Sequence, residues 1–251
     1  MNESADSGQE VCVWDVDLNV PRLVVSRLER LLPSPEREEA YRCASLREAR
    51  RFIVRRAARR LILAEYMNVS PSRLRILVDS NGKPRLAQPT RVEFSCADAD
   101  DLAVIAVTKR WRVGVDVERF HHVPDALSVA ENFFSQSECS ELRKASPSFR
   151  DELFLRYWTC KEALLKATGR GLSLALDSFK VSPGTVQAPL QVSDSTGQPI
   201  ARWHLSALDP APGYIGAIAC EASSDCRNLS IERLSFDSAT AELSDVSWLS
   251  V

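Results

Sequence analysis

Residues 113–118, VGVDVE, set two carboxylates, Asp116 and Glu118, one position apart in a run that otherwise reads as a buried strand. Successive side chains of a strand alternate faces, so Val113, Val115 and Val117 share one face while Gly114, Asp116 and Glu118 share the other. Two residues of rise put the acidic α-carbons roughly 6.5–7 Å apart, close enough for the carboxylates to converge on one ion. A hard divalent cation with oxygen ligands, usually Mg²⁺ shared with substrate phosphates, suits that geometry. The competing reading of the pair alone is the solvated outer face of an edge strand.

A second stretch, RYWTCKEALLKATGRGLSL at 156–174, reads as a helix in which Trp158, Glu162 and Lys166 recur at i, i+4 along one stripe. Gly169 and Gly171 are placed to end it, the first as a C′ residue. Without other information a Glu–Lys pair at this spacing is a surface contact worth a few tenths of a kcal/mol.

Around these two stretches the element order repeats. Residues 11–18 alternate as a strand, a helical segment runs to about residue 66, and strand-like runs follow at 73–79, 92–97 and 102–108, the first two separated by the turn Ser80-Asn81-Gly82-Lys83-Pro84. The second half opens at 113–118 and continues with helices near 125–145 and 151–168. Strands are then expected near 179–182, 189–192, 203–207 and 214–222. This divides the chain into an N-terminal lobe, residues 1–110, and a C-terminal lobe, 111–222. The Ser- and Asp-rich residues 223–251 are left as a loosely packed extension of unassigned role.

Composition narrows the function classes. A net charge of −2 gives no general attraction to nucleic acid or anionic membrane. Seven cysteines, with neither C-x-x-C pairs nor Cys/His spacing for a metal, argue against a disulfide framework or a zinc site. The polar, acidic N-terminus and the lack of a roughly 20-residue apolar run lead to the expectation of a cytoplasmic protein that neither spans a membrane nor binds nucleic acid.

The motifs NGKP, GVDVE, FFSQSE, WTCKEALLKATGRGL and SLALDSF occur in the order and approximate spacing of 4′-phosphopantetheinyl transferases of the surfactin-synthetase (Sfp) type, which the chain resembles over about residues 35–222. The resemblance implies an α+β fold of two similar α/β lobes related by a pseudo-twofold, with the active site in the cleft between them. It implies transfer of the phosphopantetheine arm of coenzyme A to a serine of an acyl or peptidyl carrier protein, with Mg²⁺ as cofactor, adenosine 3′,5′-bisphosphate as the released product, and a monomer. Asp116, Glu118 and Glu162 are the implied metal ligands. Glu162, directly or through a water, is the implied base, and Lys166 a cation on the reacting phosphates. Lys83, Arg51 and Arg60 are the implied coenzyme contacts.

Arg51 and Arg60 belong to a segment, 42–60, that carries eight arginines, with Arg47, Arg51, Arg55 and Arg59 forming a stripe. A guanidinium fork suits a phosphate monoester, and a solvated face paired with glutamates is the plainer alternative. Phe133 and Phe134 match an aromatic pair beside the family's carrier-protein site, or else belong to the core. His121 and His122 show no partner in the sequence and are expected in a loop.

One departure stands out. The family's F-N-x-S-H-S-x-D pattern aligns with residues 94–101 here, and Asp98 replaces the histidine. Two unit charges about 4 Å apart at an effective dielectric near 20 repel by roughly 4 kcal/mol before screening. Coenzyme binding then requires an arginine of the stripe to neutralise Asp98. The alternatives to an active transferase are a catalytically weak relative that binds carrier protein or coenzyme without turnover, and a metal-dependent hydrolase of a nucleotide pyrophosphate.

Overall fold

The computed structural model describes residues 9–171, 174–183, 190–193, 199–222 and 229–238. In the first lobe β1 (Gln9–Asp17) is followed by three helices, α1 (Arg22–Glu29), α2 (Ser34–Tyr41) and α3 (Leu46–Met67). The short strands β2 (Ile76–Val78) and β3 (Pro84–Leu86) form a hairpin, and β4 (Glu93–Ala99) and β5 (Leu102–Thr108) complete the lobe. The second lobe contains β6 (Val113–Arg119), α4 (Ala126–Phe133), α5 (Gln136–Lys144), α6 (Pro147–Thr168), β7 (Leu190–Ser193), β8 (Pro199–Leu208) and β9 (Tyr214–Glu221).

Both lobes use one plan. The opening strand pairs antiparallel with the closing one, β1 with β5 and β6 with β9, and the closing strand pairs in turn with its predecessor, β4 or β8. A 22-residue helix covers each sheet. Phe52, Ile53, Ala57 and Leu63 of α3 pack on Val16, Ile105 and Val107, while Ala163, Leu164 and Ala167 of α6 pack on Trp203, Leu205 and Ala217. A third apolar cluster joins the opposite faces, with Val11, Val13, Val104 and Ala106 against Val113, Val115, Val117 and Ile218. The valine face of β6 is therefore buried between the lobes, and its acidic face turns to α6. The solvated edge-strand reading fails, because every residue from Val113 to Val117 is buried.

Three expectations need correction. The 223–251 segment is not merely a loose extension: β10 (Leu229–Phe236) lies parallel to β1 and gives the first sheet the order β10-β1-β5-β4. Residues 179–182 form no strand, because the Lys161 ammonium holds the Leu176 and Phe179 carbonyls at 2.8 and 2.9 Å in place of a strand partner. The long helical segment before residue 66 is three helices, since Pro33 precedes α2 and Ser45 caps α3 by accepting the Glu48 amide. Among the described residues no helix is long and apolar enough to cross a membrane.

Candidate active site

The site is built where β6 presses on α6. Gly114 is required there, because a Cβ at this position would overlap the Ala163 carbonyl oxygen and the Ala167 amide nitrogen, both backbone atoms. The small residues Ala163 and Ala167 complete the close approach. It brings the last turns of α6 over the acidic face of the strand. Lys166 consequently donates from Nζ to Asp116 Oδ1 at 2.7 Å, linking the two stretches singled out in the sequence.

Asp116 is 6 % exposed, and its Oδ2 is buried with no hydrogen-bond partner among the described residues. Burial raises its pKa, while the Lys166 ammonium and the Val117 amide pull it down. Glu118 and Glu162 are half-buried, and both are pushed above the usual carboxylate range, first by desolvation and then by the charge of Asp116. Three carboxylates thus face one local field with one ammonium among them. This is a poor arrangement for anions and a good one for a second cation. Oxygen donors alone suit a hard ion such as Mg²⁺. The fit is one of donor chemistry: among the described residues no three Asp, Glu, His or Cys side chains are gathered tightly enough to hold a metal. Ligation would require Glu118 and Glu162 to swing toward the free Asp116 oxygen.

A cavity of about 290 Å³ opens beside this cluster. Asn81, Lys83, Pro84, Ser95 and Cys96 line it from the first lobe, and Glu162, Leu165, Lys166 and Gly169 from the second, so it lies between the lobes. Ser95 Oγ also accepts the Val115 amide at 3.1 Å, which seals the seam behind it. Lys83 Nζ donates to the Lys166 carbonyl at 2.7 Å and the Val113 carbonyl at 3.1 Å, and burial lowers its pKa to about 8.

Residues 112–219 match the family model described as the 4′-phosphopantetheinyl transferase superfamily. Over 214 residues, 84 % of this chain and 87 % of the relative, the sequence is 32 % identical to 4′-phosphopantetheinyl transferase HetI of Nostoc sp.. It is 28 % identical over 196 residues, 76 % of this chain and 83 % of the relative, to 4′-phosphopantetheinyl transferase Sfp of Bacillus subtilis. The chain belongs to the 4′-phosphopantetheinyl transferase superfamily.

Not every expected site residue of this transferase reaches the cluster. Arg60 is engaged elsewhere, its buried guanidinium bonding Glu36 at 2.8 Å and the Leu74 carbonyl at 3.0 Å and so tying α3 to α2 and to the turn after α3. These bonds make Arg60 a brace within the first lobe, and it stands outside the cavity lining. Arg51 stands outside the cavity lining and pairs with Asp101 at 2.7 Å and Asp100 at 3.8 Å. The rest of the stripe is paired as well, Arg47 with Asp101, Arg55 with Asp98 and Arg59 with Glu36. Asp98 therefore has the arginine neighbour that coenzyme binding demanded. Phe134 is core, stacked on Phe154 at 5.2 Å, whereas Phe133 is 44 % exposed and edge-on to Trp158 at 6.3 Å. His121 and His122 sit in the loop after β6 and do have partners, the Arg119 carbonyl and Asp151.

The largest omission of the sequence reading is Glu138. Inside FFSQSE it forms a capping box with Ser135, and it also meets Lys161 at 2.9 Å with both side chains fully buried. The S-x-x-E signal for the cap was present in the sequence. The ion pair was not, because Lys161 and Glu138 are brought together only by the packing of α5 on α6.

Proposed function

We propose that this transferase moves the 4′-phosphopantetheine group of coenzyme A to a serine hydroxyl of an acyl or peptidyl carrier protein, with Mg²⁺, and releases adenosine 3′,5′-bisphosphate. The observation that carries the reading is the Lys166–Asp116 contact, with an unpartnered carboxylate oxygen on one side and Glu162 on the other, beside a cavity between the lobes. Asp116, Glu118 and Glu162 would hold the metal, which when bound supplies positive charge to the pyrophosphate oxygens. The chain's own groups then do the following. Lys166 directs a fixed ammonium at the oxygens on which charge accumulates as the serine oxygen bonds to the β-phosphorus and the bond to the leaving adenosine bisphosphate breaks. Glu162, whose raised pKa makes it a better proton acceptor than an ordinary carboxylate, takes the hydroxyl proton. Exposed Phe133, beside Trp158, is the aromatic offered to the carrier protein.

Cys43, Cys96, Cys139 and Cys160 are free thiols, which supports a reducing cytoplasmic setting, and one chain supplies both walls of the cavity, which supports a working monomer. Arg55 removes the ground for a weak, merely binding relative, since it neutralises Asp98. The test is mass spectrometry of an apo carrier protein incubated with the transferase, Mg²⁺ and coenzyme A. A gain of one phosphopantetheine is expected. Coenzyme cleavage without a labelled carrier would instead point to a hydrolase, and carrier binding without either would return the weak-relative reading.

A further inference from the structure

The last carbonyls of an α-helix have no partner within it. At the end of α6 the αL residue Gly169 turns its amide back to the Leu165 carbonyl at 3.1 Å, leaving the Lys166 and Gly169 carbonyls to be satisfied. Both are taken by side chains of the other lobe. Lys83 Nζ donates to the first at 2.7 Å and Asn81 Nδ2 to the second at 2.7 Å. The turn that presents them is fixed in advance: Asp79 Oδ1 accepts the Asn81 and Lys83 amides, both at 2.9 Å, its Oδ2 accepts Arg85 Nε at 2.8 Å, and Gly82 adopts φ 84°. Arg85 in turn occupies the space that a Cβ on Gly169 would need.

Lys83 also holds the Val113 carbonyl, at the first residue of β6. A single ammonium thus ties together the start of the strand that bears Asp116 and the helical turn that bears Lys166. With two of its three N–H donors spent on carbonyls, Lys83 has one left for any ligand in the cavity. We propose that Asn81 and Lys83 are positioning residues: they clamp the end of α6 across the lobe boundary and thereby set where the Lys166 ammonium stands relative to Asp116 and the reacting phosphates. This rests on the transferase reading above. It gives NGKP a role beyond contact with coenzyme phosphate.

Asn81→Ala removes only the side-chain bond, because the turn is held through backbone amides. It is expected to lower kcat about tenfold with coenzyme KM changed less than about twofold, as for a small displacement of a catalytic group. Lys83→Met should lower kcat further and Lys83→Arg should recover part of the loss. The deciding measurement is a double-mutant cycle: in a Lys166→Ala background neither Asn81→Ala nor Lys83→Met should reduce kcat again. Full additivity overturns the proposal, as does a rise in KM at constant kcat, the signature of a direct phosphate ligand. Hydrogen exchange gives a readout that needs no turnover. Amides of residues 166–171 should exchange about tenfold faster in Asn81→Ala while those of residues 154–160 stay unchanged, and unaltered exchange at 166–171 rejects the clamp. If the unsubstituted protein labels no carrier, the transferase reading fails while exchange still decides the clamp.

Discussion

Two charged regions, one in each lobe, are built from similar side chains and end in opposite states. Along α3 the stripe of arginines meets an acid at every step, with Asp98, Asp100 and Asp101 at the β4–β5 hairpin and Glu36 on α2, and Asp100 also reaches Arg119 at 2.8 Å. Where β6 meets α6, Asp116, Glu118 and Glu162 repel one another around Lys166, and one Asp116 oxygen is left without a partner among the described residues. The first region is electrostatically finished; the second is unbalanced, with negative charge in excess. A run of charge in a sequence is therefore a weak pointer to a site, and an imbalance that the fold leaves uncorrected is a strong one.

The contrast can be broken hardest at Asp116. Asp116→Asn keeps the shape and removes the charge, so carrier labelling should fall about a thousandfold, as for loss of a principal electrostatic group. Far-ultraviolet circular dichroism should stay native. Near-normal labelling would move the site elsewhere. The matching change in the finished region is Glu36→Gln, which strands two buried guanidiniums. It should cost about 3 kcal/mol in urea denaturation, because removing one partner of a buried pair leaves an uncompensated charge. A loss below about 1 kcal/mol would mean that Arg59 and Arg60 find other acceptors.

Glu162→Gln sharpens the comparison with the opposite sign. The folded-state pKa of Glu162 lies above its unfolded value near 4.5, so just above that pH the folded protein holds a proton that the unfolded chain has released. Stability from this group is accordingly lost as pH rises through the window. With chelator present, Glu162→Gln should flatten the stability profile above pH 4.5 and raise the melting midpoint near neutrality by about 2 °C while abolishing labelling. A lower midpoint would show that the carboxylates are not in conflict.

How much of this the sequence disclosed depended on the range of the interaction. Alternation along VGVDVE and the four-residue spacing of Glu162 and Lys166 are local, so the paired acids and their helix were legible before any fold. The pairing of Arg51 and Arg60 was not, since a basic segment looks the same whether a phosphate or an aspartate faces it. Their partners Asp101 and Glu36 lie 50 and 24 residues away. β10 was missed because its pairing with β1 joins opposite ends of the chain, and a parallel strand carries no hairpin signal. In the sequence Asn81 is an ordinary turn residue; its bond to the Gly169 carbonyl exists only because the fold ends α6 against that turn.

The smallest effect separates the arginines of the stripe from one another. Asp98 lies two positions beyond Cys96 on β4 and shares its face, and Cys96 lines the cavity, so Arg55–Asp98 is the pair of the finished region placed beside the cavity where the coenzyme is proposed to bind. Both side chains are part-exposed, and Arg55→Ala should change stability by less than about 1 kcal/mol. It should nevertheless uncover a carboxylate toward a phosphate and raise coenzyme KM about tenfold, a fraction of the bare repulsion at such a distance. Adding Asp98→Asn to Arg55→Ala should restore KM, because the charge that Arg55 was masking is then gone. Were KM unmoved in Arg55→Ala, Asp98 would not face the coenzyme, and this pair would be as purely structural as Arg60 and Glu36. The boundary between the finished and the unbalanced regions would then fall at Cys96, two residues earlier along β4.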